Sequence, residues 1–270
     1  MLMLASCAGR PEGDPTVARP ALRVLTLDLN HGMGTDTVVK GSAEAALRGR
    51  LGVVAALLRR EAVDVAAFQE ASPSLGWSEG LDTVEFLSEK SGLPHWHHGM
   101  HVPPPAPGLG HVPHGTALVS RHPLTRLSGG SFVDYPAESS GFVVAAVVLA
   151  GREIDVVSVD LGGPLSALRL EQMRAMVAGL RARGRPLVVL GDMNCAMLDP
   201  EKTLRELSGA FALEAWRADD ASIATFPAGR PTRRLDWILT SPELEIRTHR
   251  VLPDLVSDHR AVLAEIGWRP

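Results

Sequence analysis

Three short polar segments in the last third of the chain hold the residue types that hydrolytic chemistry uses. They are Gly191-Asp192-Met193-Asn194, Leu235-Asp236-Trp237-Ile238 and Ser257-Asp258-His259. Each follows, or sits inside, an apolar run that reads as a strand. Strands that converge would deliver these side chains to one region, where they could act on a phosphate ester with the help of a metal ion. Asp192 can take a proton from an attacking water or orient it, and Asn194 can donate hydrogen bonds to a charged phosphoryl oxygen. His259 can contact phosphate or shuttle a proton. Asp236 can hold that imidazole in one tautomer and orientation. Far upstream, Glu70 follows a buried apolar run beside Gln69. A carboxylate at a strand end suits a hard cation such as Mg²⁺, which takes oxygen ligands and keeps several waters. Each segment alone also reads as an ordinary turn, an Asx cap or a satisfied histidine. The whole ordered set is a poorer fit to coincidence.

The elements that must position these residues follow from periodicity. Residues 21–29 alternate and form a first strand, ending at Asp28, Asn30 and His31. Residues 42–61 have helical spacing, and 63–68 form a buried strand stopping at Gln69-Glu70. Residues 71–80 read as a loop, 81–91 as a helix, and 92–114 as a long loop rich in Pro, Gly and His. Strands are expected at 116–120, 142–149 and 153–160, the last two joined by a turn at Ala150-Gly151. A helix at 165–183, a buried strand at 187–190, a helix at 200–209 and strands near 234–240, 244–251 and 260–266 complete the chain. Hairpins mixed with strand–helix–strand units predict two stacked sheets covered by helices.

With 270 residues and 45% hydrophobic content, the chain suits one large α/β domain. We place that domain at residues 21–270, after a Gly/Pro-rich tail at 1–20. The formal net charge is -4, so no strong basic field argues for nucleic acid, although a local patch would suffice. Aromatic content of 4% argues against a stacking platform for single strands. No run reaches the length of a membrane helix. Two cysteines, Cys7 and Cys195, cannot build a disulfide framework or a zinc site. Cys195 reads as a small buried residue rather than a catalytic thiol.

The ordered set Asn30, Gln69-Glu70, Gly191-Asp192-Met193-Asn194, Asp236 and Ser257-Asp258-His259 resembles the endonuclease/exonuclease/phosphatase superfamily, the DNase I-like fold. Further matches are the run Gly115 to Leu124, Thr225-Phe226-Pro227, and Arg233 to Ile238. The resemblance covers residues 21–267 and is specific for the fold, not the substrate. It implies a four-layer α/β/β/α sandwich and Mg²⁺- or Mn²⁺-dependent cleavage of a phosphoester. Glu70 would be the main metal ligand, with Asn30 and Asp258 nearby. Asp192 would activate or orient the water, Asn194 would stabilise the pentacovalent phosphate, and Asp236 and His259 would form a dyad. The substrate would be nucleic acid, a phospholipid head group or a small phosphate ester, and a monomer is expected.

One position departs from the family pattern. In Val157-Ser158-Val159-Asp160-Leu161, Asp160 stands where the resemblance expects a phosphate-contacting histidine. An ionised carboxylate cannot donate a hydrogen bond, and it repels phosphate. Asp160 could bind a second metal, a neighbouring histidine could replace the missing one, or activity could be weakened, leaving a binding module of the same fold. Six histidines, His95, His97, His98, His101, His111 and His114, precede the Gly115 motif, and by resemblance that loop borders the cleft; His114 is a candidate substrate contact. Arg121, Arg230, Arg233 and Arg234 could form a basic rim for phosphate. At the N-terminus, Leu4-Ala5-Ser6-Cys7 looks like a bacterial lipobox with a lipidated Cys7 and membrane attachment. The segment before it is short and lacks Lys and Arg. Either an exported lipoprotein or a cytoplasmic protein with a chance match is therefore expected.

Overall fold

The structure is a computed structural model, and it describes residues 20–35, 44–72, 80–101, 114–132, 140–162, 166–196 and 203–270. Cys7, His111 and the side chain of His114 lie outside the described residues, as does most of the histidine-rich segment beyond His101. In chain order the elements are β1 (Leu22–Asp28), a single 3-10 turn (Asn30–Gly32), α1 (Glu44–Arg60), β2 (Val65–Ala71), α2 (Thr83–Ser91), β3 (His95–His101), β4 (His114–Ser120) and β5 (Thr125–Phe132). There follow β6 (Ser140–Leu149), β7 (Arg152–Asp160), α3 (Ser166–Arg181), β8 (Leu187–Asp192), α4 (Thr203–Phe211), β9 (Glu214–Ala215), β10 (Asp236–Thr240), β11 (Leu244–Val251) and β12 (Val262–Trp268). Among the described residues, no helix is long and apolar enough to cross a membrane.

The strands form two six-stranded sheets, ordered β11-β12-β1-β2-β4-β3 and β5-β6-β7-β8-β10-β9. Side chains alternate between the two faces of a strand, so each sheet buries two apolar sets. Leu25, Leu27, Ala66, Phe68 and Leu263 pack under α1 and α2. Val157, Val159, Val189, Trp237 and Leu239 pack under α3 and α4. Between the sheets lie Leu22, Val24, Val65, Ala67, Leu118, Val156, Val188, Leu190, Ile238 and Val262. These three apolar layers make the four-layer α/β/β/α sandwich. Each large side chain removed from water contributes about 1.5–3 kcal/mol before its ordering entropy is counted.

β1 pairs parallel with β2, and β7 parallel with β8. The C-terminal ends of these four strands therefore collect at the same end of their sheets, where β10 begins, since it runs antiparallel to β8. Gln69 ties the two sheets together there. It accepts from Thr26 Oγ1 at 3.1 Å and donates to Ser158 Oγ at 3.0 Å. The β6–β7 hairpin turns at Ala150 and Gly151, both left-handed (φ 52° and 79°), as a tight turn between twisted strands requires.

Two expectations are corrected. The stretch 92–114 is not one long loop, because β3 pairs residue for residue with β4 from His95↔Ser120 to His101↔His114. Histidine and glycine carry little strand signal, so the ladder was hidden in the composition. β5 was also unforeseen. It is an edge strand with Ser128-Gly129-Gly130-Ser131 and an almost wholly exposed surface, so no apolar alternation marks it.

Candidate active site

At the shared strand end, the face between the sheets turns from apolar to polar. On β1 the inward set Leu22, Val24 and Thr26 ends in Asp28, which is buried. On β7 the set Ile154, Val156 and Ser158 ends in Asp160, on β8 Val188 and Leu190 lead to Asp192, and on β10 Asp236 precedes Ile238. Gly191 is glycine because a Cβ there would overlap the Val159 carbonyl. The close β7–β8 approach needs that position bare.

Glu70 reaches the same face by a different device. Strict alternation would send it to the helix side, because its neighbour Gln69 already faces inward. The β2–β4 register shifts between Phe68 and Ala71, and Glu70 is left-handed (φ 48°). A bulge re-aims the side chain in this way. Asn30, His31 and Asn194 are left-handed too, at φ 45°, 51° and 50°. Four such non-glycine residues at one end are backbone strain of the sort that gathers at functional sites.

The His259–Asp236 pair is formed. Nδ1 of His259 lies 3.0 Å from Asp236 Oδ2, and Nε2 lies 3.9 Å from Asp192 Oδ2. The Phe226 ring tilts over the imidazole, with centroids 4.7 Å apart. Burial disfavours the charged imidazole, but Asp236, Asp192 and Asp28 outweigh it and push His259 up to about 11. Asp192 is buried, and its backbone continues the frame. Its Oδ1 accepts from Asn194 N–H at 2.7 Å, while Asn194 Nδ2 donates to Leu161 O at 2.8 Å. Burial and Asp236 push the Asp192 carboxyl well above the usual carboxylate range.

Burial and then the charges of Asp28, Asp160, Asp258 and Asp192 do the same to Glu70. A third (33%) of the Glu70 side chain still meets solvent. His31 Nε2 lies 3.3 Å from Glu70 Oε2. Asp258 is half-buried and accepts from Ser257 Oγ at 3.2 Å.

This donor set fits a hard divalent cation. It is rich in carboxylate oxygens that repel one another until something positive sits among them. Among the described residues, none donates a hydrogen bond to Asp236 Oδ1, which is fully buried. One ligand atom each from Asp192, Asp236 and His259 lies within 4.8 Å of the other two.

Asn30 lies within the cluster, bonded to its neighbours, whereas Arg121 lies elsewhere. The Asn30 amide donates to Gly34 O at 3.0 Å, and its backbone N–H donates to Asp28 Oδ1 at 2.7 Å. Asp28 is the residue that sequence reading missed. It is buried, and its charge is the largest acting on Glu70. Its own carboxyl is pushed up to about 6, by burial first, against the pull of His259. Inward alternation from Val24 through Thr26 was the signal available for it.

Arg121 is at the opposite end of β2, bonded to Asp64 Oδ1 at 3.1 Å and Val63 O at 3.3 Å. Six residues of strand, about 20 Å, separate Asp64 from Glu70. Arg234 is buried over the Trp237 ring at 3.9 Å, and its terminal nitrogens donate to the carbonyls of Trp216 and Arg217. Arg230 and Arg233 are exposed. Of the histidines, His98 bonds Ala71 O at 3.1 Å, and His101 is buried on Thr116 Oγ1 at 2.9 Å. Cys195 is buried, and its carbonyl accepts from Trp237 Nε1 at 3.0 Å.

A family model described as the Endonuclease/Exonuclease/phosphatase family matches residues 25–259, a span that takes in every residue of this cluster. The chain belongs to the endonuclease/exonuclease/phosphatase family. Solved structures of the same fold include an endonuclease/exonuclease/phosphatase from Beutenbergia cavernae, 24% identical over 93% of this chain and 72% of that one, with a TM-score of 0.71. The Bacteroides thetaiotaomicron mannosyl-6-phosphatase is 16% identical over 92% of this chain and 100% of its own, TM-score 0.69. The human Nocturnin catalytic domain with bound sulfate is 17% identical over 93% and 96%, TM-score 0.66. No curated protein sequence matches the chain. Membership of the endonuclease/exonuclease/phosphatase family makes the chain a phosphoester hydrolase by class, and enzymes of the family are generally divalent-metal dependent.

Proposed function

We propose that the chain hydrolyses a phosphoester with a Mg²⁺ or Mn²⁺ ion held by Glu70, Asp28 and Asp258. Asn30 supports the site through the N–H it gives Asp28. The reading rests on one observation above the others. His259 stands between two aspartates, 3.0 Å from Asp236 and 3.9 Å from Asp192, beside a carboxylate group gathered from separate strands. When bound, a divalent cation polarises the phosphoryl oxygen and offsets its developing charge. Asp192 orients the attacking water and draws its proton. Asn194 stands beside it on the same turn to meet the charge that develops on phosphorus-bound oxygen. Asp236 keeps His259 protonated and oriented, so that Nε2–H faces the phosphate.

For the substrate, a small phosphate ester or a lipid head group fits better than a long nucleic acid. Arg121 and Arg234 are engaged away from the site, and the chain carries a net charge of -4. Only Arg230 and Arg233, on the exposed stretch after Phe226, remain as candidates for a basic rim among the arginines singled out. The test is turnover of sugar phosphates, phosphoinositides, sphingomyelin, RNA and plasmid DNA with Mg²⁺ or Mn²⁺, using Glu70→Ala as control. Turnover on the small or lipid esters, abolished by the substitution, is expected. Turnover confined to nucleic acid would overturn the substrate assignment.

A further inference from the structure

A short arm of chain, residues 225–235, lies along the segment that carries Asp258 and His259. Phe226 and Arg233 exchange both backbone hydrogen bonds, each at 3.0 Å, as an isolated antiparallel pair. Between them the chain turns back at once, with Arg230 N–H donating to Pro227 O at 3.1 Å and Thr232 N–H to Phe226 O at 2.9 Å. The arm is fastened to its neighbours at several points. Ala228 N–H donates to Asp258 O at 2.6 Å, Arg260 Nε to Ala228 O at 2.7 Å, and Arg260 N–H to Thr225 O at 2.9 Å. At its base, the buried Thr225 Oγ1 accepts from Leu235 N–H at 3.1 Å and Asp236 N–H at 3.3 Å. A segment held in this way presents its side chains from fixed places beside the site.

Directly opposite residues of an antiparallel pair project their side chains to one face. The Phe226 ring lies over the His259 imidazole, with centroids 4.7 Å apart, so Arg233 leaves the arm on the side of the site. Arg234, the next residue, is buried over Trp237 instead. Arg230 and Arg233 are exposed. Among the described residues, no carboxylate, carbonyl or ring engages either guanidinium. Elsewhere in the chain Arg60, Arg121, Arg174, Arg183 and Arg269 are each bonded to a carboxylate. Two unengaged cations thus stand on one fastened arm at the rim of a cluster of acids.

We propose that Arg233, with Arg230 on the same arm, selects substrates that carry a second anionic group on the alcohol of the scissile ester. The inference rests on reading the site as a phosphoester hydrolase, and it names the substrate class within that reading. The Phe226 ring, not Arg233, covers the imidazole, so the guanidinium meets what extends past the scissile phosphate. Its forked N–H donors match a phosphate or a carboxylate. The acids inside the site repel a second negative charge, and cations at the rim give that charge a place outside them. Small bisphosphates and phosphorylated lipid head groups share this chemistry.

The test compares paired probes on the full chain with Mg²⁺. Ethanediol, butanediol and hexanediol bisphosphates are set against the matching alkyl phosphates. Phosphatidylcholine vesicles carrying a phosphatidylinositol bisphosphate are set against vesicles carrying a phosphatidylinositol monophosphate. Wild type is expected to favour the second phosphate by about tenfold or more in kcat/KM, with the gain in KM, as charge-assisted hydrogen bonds give. Arg233→Gln should lose most of that preference, and the double variant Arg230→Gln, Arg233→Gln all of it. Arg233→Lys keeps the charge without the fork and should keep part. Melting temperatures should not move, because neither side chain has a partner to lose. The same preference is read as a ratio of dissociation constants by calorimetry on Asp192→Asn, in which turnover is slowed. Preference among the soluble probes assigns a small ester, and preference confined to the vesicles assigns a lipid head group. A preference that survives in the double variant, or none on any pair by either readout, overturns the proposal. Wild type that turns over none of the probes fails the hydrolase reading instead, and the calorimetric ratio still decides the role of the arm.

Discussion

The two ends of the sandwich treat buried acids in opposite ways. At the end where β7 starts, Asp155 is fully buried and takes a bidentate pair from Arg183 at 2.8 Å and 2.8 Å, with Arg185 at 3.4 Å. Glu153 nearby is held by Arg126 and Arg185, and Asp64 by Arg121. Five residues along the same strand, Asp160 enters a group that includes Asp28, Glu70, Asp192, Asp236 and Asp258. The cationic side chains whose contacts with that group are defined are His31 and His259. The acids at the first end are neutralised by arginine forks, whereas those at the other end are gathered together, as acids proposed to hold a cation would be. Substitutions at the two ends should therefore separate activity from stability.

The largest effect is expected for Asp192→Asn. It should lower kcat by about 10²–10⁴-fold, the range for losing a proton-transfer group. The metal-free protein should melt no lower than wild type, because a crowded charge has been removed. At the other end, Asp155→Asn strands two arginines and should cost about 3 kcal/mol of stability, measured by urea unfolding, with kcat of the folded enzyme unchanged. A loss of kcat there without a loss of stability would break the comparison.

The two ends should also respond to pH with opposite signs. Asp28 is raised to about 6 from 3.8, so the metal-free fold holds its proton more tightly than the unfolded chain does. Its contribution is fully present below about pH 4 and is lost as pH rises through about 6, up to about 3 kcal/mol. His259, raised to about 11, adds stability that is present below pH 6.5 and is lost as pH rises through about 11. Glu153 is shifted down by its bond to Arg185, so its smaller, solvent-screened contribution is present above its ordinary range and is lost as pH falls. Asp28→Asn should flatten the fall in melting temperature between about pH 4 and 6, and saturating Mg²⁺ should do so in wild type. The smallest effect is expected for Arg121→Ala, with activity within about twofold and less than about 1 kcal/mol of stability lost, as for an exposed pair.

Much of this division was legible before any coordinates. The positions of Glu70 and Asp192 follow from apolar runs that stop at polar residues, those of Asp236 and His259 from polar residues that precede such runs, and the family follows from their order. Illegible were features that depend on register. Asn30 and Asp28 differ by two positions, and only the turn at Asn30–Gly32 sends the Asn30 amide to Gly34. Arg121 stands in a motif beside the cleft-bordering segment, yet antiparallel pairing of β2 and β4 carries it to the far end. Arg234 precedes Asp236 by two residues, but its stacking on Trp237 is a tertiary fact. β3 and β5 are held by ladder bonds with little side-chain signal of their own.

The central claim is that the gathered acids serve cation-assisted phosphoester hydrolysis. The most direct measurement is hydrolysis of bis-p-nitrophenyl phosphate and p-nitrophenyl phosphate by the full chain, with Mg²⁺, with Mn²⁺ and with EDTA, alongside Asp192→Ala. Turnover is expected to appear with either cation, to vanish in EDTA and to be lost in the variant. Turnover that persists in EDTA, or that survives Asp192→Ala undiminished, would contradict it.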